Sequence, residues 1–262
     1  MRKPAEACRN RMKDWGVRSV SREQSASARV VAVVLGAGQG TRMGQPVNKI
    51  FLPIAGKPVI RYALETFERC PQVDEILLVA AAGEEEQLAD LARAAQCRKV
   101  RGVIRGGATR HASEQCALDA LRSRIESGEI EIILIHDGAR PFISVAKVQQ
   151  LIERARAVGG AILAEPLHEE ELVVQVDAQQ SIQRSFAREQ IWKAQTPQVF
   201  QAPLLLRAYD QARRDQFSGT DTAASLERIG CPVAIVASDA SNLKITTAHD
   251  LLLAEKLIHY RK

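Results

Sequence analysis

The residues most suited to chemistry in this chain form a glycine-rich stretch that carries two cations. An unbroken apolar run, VVAVVL at 30–35, leads into GAGQGTRMG at 36–44, and Lys49 follows. Glycine has no Cβ and tolerates positive φ, so such a loop can wrap around a ligand with its N–H groups pointing inward. Backbone donors together with Arg42 and Lys49 match the charge of a polyphosphate. The stretch therefore predicts a phosphate-binding loop.

Two familiar phosphate motifs do not fit this stretch. A dinucleotide fingerprint needs G-x-G-x-x-G, but its third glycine falls on Thr41 when counted from Gly36 and on Met43 when counted from Gly38. A Walker A loop needs a glycine followed by Lys and then Ser or Thr, and no glycine of this stretch is followed in that way. The loop is thus of another type, and the alternative is an ordinary glycine-rich turn.

Hydrophobic periodicity predicts strands and helices in alternation. Apolar runs at 30–35, 75–80, 100–104, 130–135 and 161–164 have the pattern of buried strands, and the segments 59–69, 84–95, 111–125 and 144–158 have helical spacing. This alternation is typical of an α/β fold, a Rossmann-like, mainly parallel sheet with helices on both faces. Ligands bind such sheets outside the carboxyl ends of the strands.

Three polar loops follow predicted strands, and we expect them to converge on one crevice. They are the glycine-rich loop, RGGATR at 105–110 and HDGAR at 136–140. Each has a structural alternative. In this alternative, Gly106 and Gly107 only form a tight turn, Ser113 and Asp137 only cap helices or turns, and Arg140 only holds a strand end in place. Their position on one edge with a phosphate loop favours a binding site.

Residues 167–190 break the alternation of strands and helices. Two short alternating segments, 172–176 and 181–186, flank a polar turn at Asp177 and predict a β-hairpin. A two-stranded ribbon is marginal alone and needs a partner surface. That surface is either a second subunit or the chain's own domain.

Composition narrows the class of protein. With 262 residues, 46% of them hydrophobic, the chain can bury one sizeable core, and we expect a disordered basic tail at 1–28 and a single domain at 29–262. Of the net charge of +5, residues 1–28 supply +4, because seven Lys/Arg outnumber three Asp/Glu there. The nearly neutral domain does not predict nucleic-acid binding, and no apolar run approaches the ~20 residues that cross a bilayer.

Cysteine and histidine spacing predicts neither disulfides nor a metal site. The five cysteines are scattered and lack C-x-x-C spacing, which favours reduced thiols in a cytoplasmic protein. The histidines lack metal-ligand spacing. Only His136 falls near the predicted crevice, and it is given no chemical role.

Several motifs together resemble a known enzyme family. GAGQGTRMG, Lys49 and FLPIAGKPVI are similar to the N-terminal signature of sugar-nucleotide-type nucleotidyltransferases. Four further motifs narrow the likeness to cytidylyltransferases that act on 2-C-methyl-D-erythritol 4-phosphate: G-G-x-x-R-x-x-S at 106–113, H-D-x-x-R-P at 136–141, T-P-Q at 196–198 and N-L-K-I-T at 242–246. They occur in the family's order and span nearly the whole chain beyond residue 28.

The resemblance implies transfer of a cytidylyl group from CTP to this polyol phosphate, with release of pyrophosphate. Arg42, Lys49 and Lys244 are implied to stabilise charge on the phosphates, with Mg²⁺ held mainly by the triphosphate. The implied CTP-binding residues are Gly36, Ala37, Gly38, Gly40, Gly107, Ala108 and Ser113. Because the acceptor phosphate is already an anion, alignment and charge stabilisation suffice, and no general base is needed.

The resemblance also implies how the acceptor is held. The implied acceptor-binding residues are Asp137, Arg140, Arg188 and Thr196. Arg188 lies at the end of the predicted hairpin, so the family's pattern implies a homodimer with exchanged arms, in which Arg188 binds the acceptor phosphate in the partner's site.

The chain departs from the family's pattern at several places, among them Leu35, which precedes the first glycine where the family has proline or alanine, and Ser241, which stands where the family often has an acidic residue. Two further departures bear more directly on the site. Asn48 stands where the family usually has a proline before the loop lysine, and positions 169–172 read E-E-E-L where the family's arm carries D-T-x-K. A carboxylate near a phosphorylated acceptor repels it. Three interpretations stay open: the methylerythritol phosphate enzyme, a cytidylyltransferase for another polyol phosphate such as ribitol 5-phosphate, and a non-catalytic nucleotide-binding module.

Overall fold

A seven-stranded mixed sheet forms the centre of the computed structural model, which describes residues 28–38, 47–168 and 170–260. Within these residues the strand at Trp192–Gln201 runs antiparallel to both of its neighbours, and the other adjacent strands of the sheet pair parallel. The predicted, mainly parallel sheet is confirmed. In spatial order the strands are β11 (Ala234–Ala237), β7 (Gly160–Pro166), β10 (Trp192–Gln201), β6 (Ile130–Asp137), β1 (Arg29–Leu35), β4 (Glu75–Ala80) and β5 (Val100–Arg105).

Some of the sequence predictions fall outside the described residues. They are the predicted tail at 1–28, apart from Ala28, the loop residues Gly40 and Arg42, and Glu169 of the arm.

Alternate side chains of β1 pack in two hydrophobic cores on opposite faces of the sheet. Val30, Ala32 and Val34 pack with one set of helices, and Val31 and Val33 with the other. This is the two-residue period of a strand buried on both sides. The first face carries α1 (Val59–Arg69), α2 (Glu85–Ala94) and α4 (Val145–Val158), and the second carries α3 (Arg110–Glu126), α5 (Ala202–Arg214) and α6 (Thr222–Arg228).

A third, smaller cluster holds the C-terminal helix α7 (Ala248–Tyr260) against the rest of the fold. Ala254 of this helix lies with Ile54, Phe142 and Ile245. Ile54 belongs to β2 (Pro53–Ile54), which pairs with β3 (Lys57–Pro58). No helix in the described ranges combines the length and apolar character needed to cross a membrane.

Side-chain caps fix where three helices begin beside the loops of the sheet edge. Thr109 caps α3 by accepting from the amide of Ala112 at 3.0 Å. Ser144 and Asp221 likewise accept from the amide of the third residue beyond them and start α4 and α6. Caps of this kind satisfy amide groups that the helix itself leaves unpaired.

Strand β10 was not predicted from the sequence. Its segment includes Pro197, which argues against a central strand because proline has no amide hydrogen to donate. The register against β7 shifts between Ala194 and Gln198, so this irregularity takes Pro197 out of the ladder. Residues 238–247, which include Lys244, form a loop.

The hairpin predicted within 167–190 is present between β7 and β10. Its strands, β8 (Val174–Val176) and β9 (Ile182–Ser185), pair antiparallel. We call the segment 167–191 the arm. Several of its apolar side chains face solvent, with Leu172 86% and Ile182 66% exposed.

Candidate active site

A cavity of about 530 Å³ opens where three loops leave the carboxyl ends of the sheet. It lies at the ends of β1 and β6 and beside the loop after β5, which is the crevice that the strand pattern predicts. Five of the expected CTP-binding residues line it: Ala37, Gly38, Gly107, Ala108 and Ser113. Gly36 lies one residue before them, with its amide bonded to the carbonyl of Val79 at 2.7 Å.

Close packing explains one glycine of the second loop. A Cβ on Gly106 would lie 2.6 Å from the Cβ of Ala37 and 2.7 Å from Oγ of Ser113. No other residue type allows the loop after β5 to approach the phosphate loop so closely. Ser113 Oγ accepts from the amide of Gly107 at 3.2 Å and donates to the carbonyl of Thr109 at 2.9 Å, which fixes this turn.

Asn48 anchors the cavity residue Lys49 to the start of the glycine-rich loop. Its buried side chain donates from Nδ2 to the carbonyl of Gly36 at 2.8 Å and to Glu84 Oε2 at 2.7 Å. Its Oδ1 accepts from the amide of Ile50 at 3.3 Å. The residue that replaces the family's usual proline thus has a structural role, and Lys49 follows it into the cavity wall.

Asp137 lies between two cations at the end of β6. Arg110 Nε donates to its Oδ1 at 3.2 Å, and Lys244 Nζ approaches its Oδ2 at 2.6 Å. Burial acts to raise the pKa of this carboxyl, but Arg110 and Lys244 outweigh burial and hold the pKa well below its ordinary value. Asp137 is therefore ionised near neutral pH and keeps Lys244, a cavity residue, in place.

Arg110 is itself held from behind by Glu114, a buried carboxylate that sequence reasoning missed. Arg110 Nη1 lies 2.7 Å from Glu114 Oε1, and Thr222 donates to the same oxygen at 2.6 Å. Tyr209 donates to the other oxygen. From sequence, a glutamate four residues after an arginine on a helix indicates an exposed ion pair. Here the pair points inward.

A buried hydrogen-bond chain supports Asp137 from the side of β10. The Asp137 amide donates to Thr196 Oγ1 at 3.1 Å, and that hydroxyl lies 3.3 Å from Nδ1 of His136. His136 Nε2 lies 3.0 Å from the carbonyl of Arg140, so Nε2 carries the proton and Nδ1 accepts. Burial lowers the pKa of His136 to about 4, which keeps the imidazole neutral.

The loop that carries Lys244 is tied to the same chain. Asn242 Nδ2 donates to the carbonyl of Thr196 at 2.9 Å and to Gln195 Oε1 at 2.8 Å. Arg140 Nη1 donates to the carbonyl of Asn242 at 2.6 Å. Among the described residues, Thr196 and Arg140 therefore lie behind the cavity rather than in its lining. Sequence reasoning missed this function of Asn242, since side-chain bonding over such separations leaves no local pattern.

A sequence profile of the 2-C-methyl-D-erythritol 4-phosphate cytidylyltransferase family matches residues 30–260. The chain belongs to this family. The cytidylyltransferase of Shouchella clausii (strain KSM-K16) is 38% identical over 231 residues, which cover 88% of this chain and 97% of the relative. That of Alkaliphilus metalliredigens (strain QYMF) is 34% identical over 239 residues, covering 91% and 96%.

A solved structure agrees with the described fold. The crystal structure of 4-diphosphocytidyl-2C-methyl-D-erythritol synthase from Anaerococcus prevotii DSM 20548 superposes with a TM-score of 0.77 at 27% identity. The match covers 89% of this chain and 97% of that chain. The α/β architecture is thus that of a solved protein of this kind.

In this cytidylyltransferase, one glutamate of the run at 169–171 forms an ion pair at the base of the arm. Glu171 lies 3.2 Å from Lys193 and accepts from the amide of His168 at 2.9 Å. Nearby, Glu165 lies 2.8 Å from His168. Glu171 is therefore paired within the chain. Arg188 begins a short 3₁₀ turn, Arg188–Gln190, outside the described lining of the cavity.

Proposed function

We propose that this chain transfers the cytidylyl group of CTP to 2-C-methyl-D-erythritol 4-phosphate, giving CDP-methylerythritol and pyrophosphate in non-mevalonate isoprenoid precursor synthesis. The observation that carries the proposal is the cavity in which two glycine-containing loops, Lys49 and Lys244 meet around Asp137. Relatives that cover most of the chain are named for this activity.

The reaction joins an oxygen of the acceptor phosphate to the α-phosphorus of CTP. The bond from that phosphorus to the bridging oxygen of the β-phosphate breaks, and pyrophosphate leaves with the electron pair. No proton has to be removed, because the attacking phosphate is ionised near neutral pH. Lys49 and Lys244 stabilise the charge that grows on the phosphate oxygens, and Arg42 is the third cation of the proposal.

The two loops hold the nucleotide. Ala37, Gly38, Gly107 and Ala108 line the cavity that CTP is proposed to enter. Their N–H and C=O groups suit both the phosphates and the edge of the base. Ser113 contributes by fixing the Gly107 turn rather than by a free hydroxyl.

Mg²⁺ is proposed to enter with the triphosphate. In the part of the chain that the structure describes, no group of three or more His, Cys, Asp or Glu is arranged to hold a metal ion. Both carboxylate oxygens of Asp137 already face cations. These residues fit a metal bound mainly by phosphate oxygens and water. Bound there, Mg²⁺ neutralises charge on the phosphates.

The acceptor side of the proposal involves a second copy of the chain. Asp137 lies in the cavity wall, and Thr196 and Arg140 support it from behind. Arg188 is assigned to the acceptor phosphate of the partner's site. The exposed apolar side chains of the arm support a homodimer, because such a ribbon gains stability by packing on another surface. The scattered cysteines, which lack C-x-x-C spacing, support a cytoplasmic enzyme.

The test is pyrophosphate release with CTP and Mg²⁺ in the presence of three different additions. These are 2-C-methyl-D-erythritol 4-phosphate, ribitol 5-phosphate and no acceptor. We expect release with the first alone. Release with ribitol 5-phosphate alone overturns the acceptor, and no release with either while CTP still binds supports a non-catalytic module instead.

A further inference from the structure

Four side chains of alternating charge lead from the protein core to the cavity. Glu114 contacts Arg110, Arg110 contacts Asp137, and Asp137 contacts Lys244. Lys244, Asp137 and Arg110 line the cavity. Glu114 lies behind them with 1% of its side chain exposed, and the proposed mechanism does not use it.

The surroundings of Glu114 are those of an ionised carboxylate. Arg110, Thr222 and Tyr209 all donate to it. Burial, together with the charge of Asp137, raises the pKa of Glu114 above its ordinary value, and the three donors oppose that rise without cancelling it. A buried charge of this kind is costly unless it is paired and hydrogen-bonded, as it is here.

We propose that Glu114 is a positioning residue for the cytidylyl transfer: it orients Arg110 so that Asp137 holds Lys244 at the cavity wall. The proposal rests on the proposed function. Glu114 itself touches no substrate, and it acts through two intervening ion pairs.

The geometry indicates what removal of the Glu114 charge does. Arg110 uses Nη1 for Glu114 and Thr222 and Nε for Asp137, and its Nη2 is buried without a hydrogen-bond partner. Without its inner partner, the buried guanidinium has Asp137 as its remaining carboxylate and is drawn towards it. Asp137 then contacts Lys244 less closely, and the ammonium group leaves the position it needs for the phosphates.

The first variant is Glu114→Gln, which keeps the volume and the oxygen that accepts from Arg110 and Thr222, removes the charge, and replaces the oxygen that accepts from Tyr209 with an NH2 donor. We expect kcat to fall roughly 10- to 100-fold, the scale of a misplaced catalytic group, while KM for CTP changes less than about threefold. Glu126→Gln makes the same substitution at an exposed position of the same helix and is the matched control. It should leave both constants unchanged.

The second variant moves the carboxylate instead of removing it. Thr222 Oγ1 lies 2.6 Å from Glu114 Oε1 and 3.3 Å from Arg110 Nη1, so an acid at position 222 meets the same guanidinium. In Glu114→Ala/Thr222→Glu the smaller residue at 114 makes room for the larger one at 222. We expect kcat to recover to within about threefold of the wild type, which a merely space-filling role for Glu114 does not predict.

The outcomes that overturn the proposal are definite. The first is a folded Glu114→Gln whose kcat stays within about twofold of the wild type. The second is a folded Glu114→Ala/Thr222→Glu whose kcat is as low as that of Glu114→Gln. Folding is followed by thermal melting. If Glu114→Gln does not fold, the double variant decides alone, and if neither folds, Glu114 is structural and the proposal fails.

A readout without substrate separates this inference from the proposed function. Lysines labelled by reductive ¹³C-methylation give resonances that report their ion pairs, and Lys244→Arg assigns the signal of interest. We expect Glu114→Gln to move the Lys244 resonance and Glu126→Gln to leave it in place. A wild type without pyrophosphate release defeats the proposed function, whereas an unmoved Lys244 resonance defeats the role of Glu114.

Discussion

Lys49 and Lys244 come from opposite ends of the chain to one cavity, and the proposed mechanism assigns the stabilisation of phosphate charge to them. We expect Lys49→Ala and Lys244→Ala each to lower kcat at least ~100-fold, the cost of one lost transition-state donor. Steady-state pyrophosphate release measures this. Lys57→Ala is the control, since Lys57 pairs with Glu65 outside the cavity lining. Near-normal turnover in both cavity variants contradicts the assignment.

His136 makes the stability of the fold depend on pH. Burial lowers its pKa from 6.5 to about 4, so the unfolded chain binds the proton more readily between these values. The neutral imidazole therefore makes its full contribution to the free energy of unfolding above pH 6.5. This contribution is lost as the pH falls towards 4, and the loss is on the order of 2 kcal/mol by pH 4.5. Asp137, whose pKa is held well below its ordinary value, stays ionised throughout this range.

Urea unfolding of the wild type and His136→Asn at pH 7 and pH 4.5 tests this dependence. The variant should be less stable at pH 7, because Asn does not replace both hydrogen bonds of the imidazole, and it should lose less stability on acidification. Equal losses in the two proteins would show that other groups, such as His111 with its own lowered pKa, account for the effect.

At the scale of elements, the Asn48 anchor joins the start of the phosphate loop to α2. Asn48→Ala removes the two hydrogen bonds that the Asn48 side chain donates to Gly36 and Glu84. We expect a loss of about 1–3 kcal/mol in the free energy of unfolding and a roughly tenfold rise in KM for CTP, because the loop is no longer held in its binding conformation. Chemical denaturation and steady-state kinetics measure the two effects.

Gln87→Ala on the exposed side of α2 is the control for this anchor. An unchanged KM for CTP in Asn48→Ala, with the expected loss of stability, limits Asn48 to folding.

Local sequence pattern was sufficient for most strands and helices and for the edge where the loops meet. Continuous apolar runs such as β1 and β6 predict strands that are buried on both faces of a parallel sheet. The carboxyl ends of such strands lie at the same edge of the sheet. β10 was not predicted because its proline and its register shift interrupt the two-residue alternation of side chains that is typical of a strand. Pairing with β6 and β7 outweighs that local signal, and pairing between distant segments is not visible in one sequence.

The site was predictable where residue type alone indicates chemistry and not where burial decides it. Lys49, Lys244 and Asp137 reach the cavity as the motifs indicate. The inward orientation of Glu114, and the hydroxyl of Thr196 engaged by Asp137 and His136, depend on tertiary packing. Polar residues of this kind are usually exposed, so sequence pattern places them on the surface by default.

At the scale of the whole molecule, a shared site in the proposed dimer has a distinct signature. If Arg188 serves the partner's site, Lys49→Ala and Arg188→Ala are each inactive alone. After subunit exchange in an equal mixture, about half of the dimers are mixed, and one of their two sites has both residues. About a quarter of wild-type activity should return.

The contrary result is equally clear. If Arg188 acts within its own chain, no mixed dimer has an intact site and the mixture stays inactive. Light scattering on the wild type gives the companion measurement, and a monomer removes the shared-site role of Arg188.

The pairing of β7 with β10 has a consequence for how this molecule varies. Trp192 lies opposite Pro166 in that pair, so the arm leaves and re-enters the sheet at adjacent points. A segment with neighbouring ends tolerates changes of length and composition without moving the strands that bear it. The departure from the family's D-T-x-K falls inside this segment. If the arm serves the acceptor and the dimer as proposed, acceptor preference and assembly can therefore change through substitutions in this segment, while the loops proposed to bind the nucleotide stay the same.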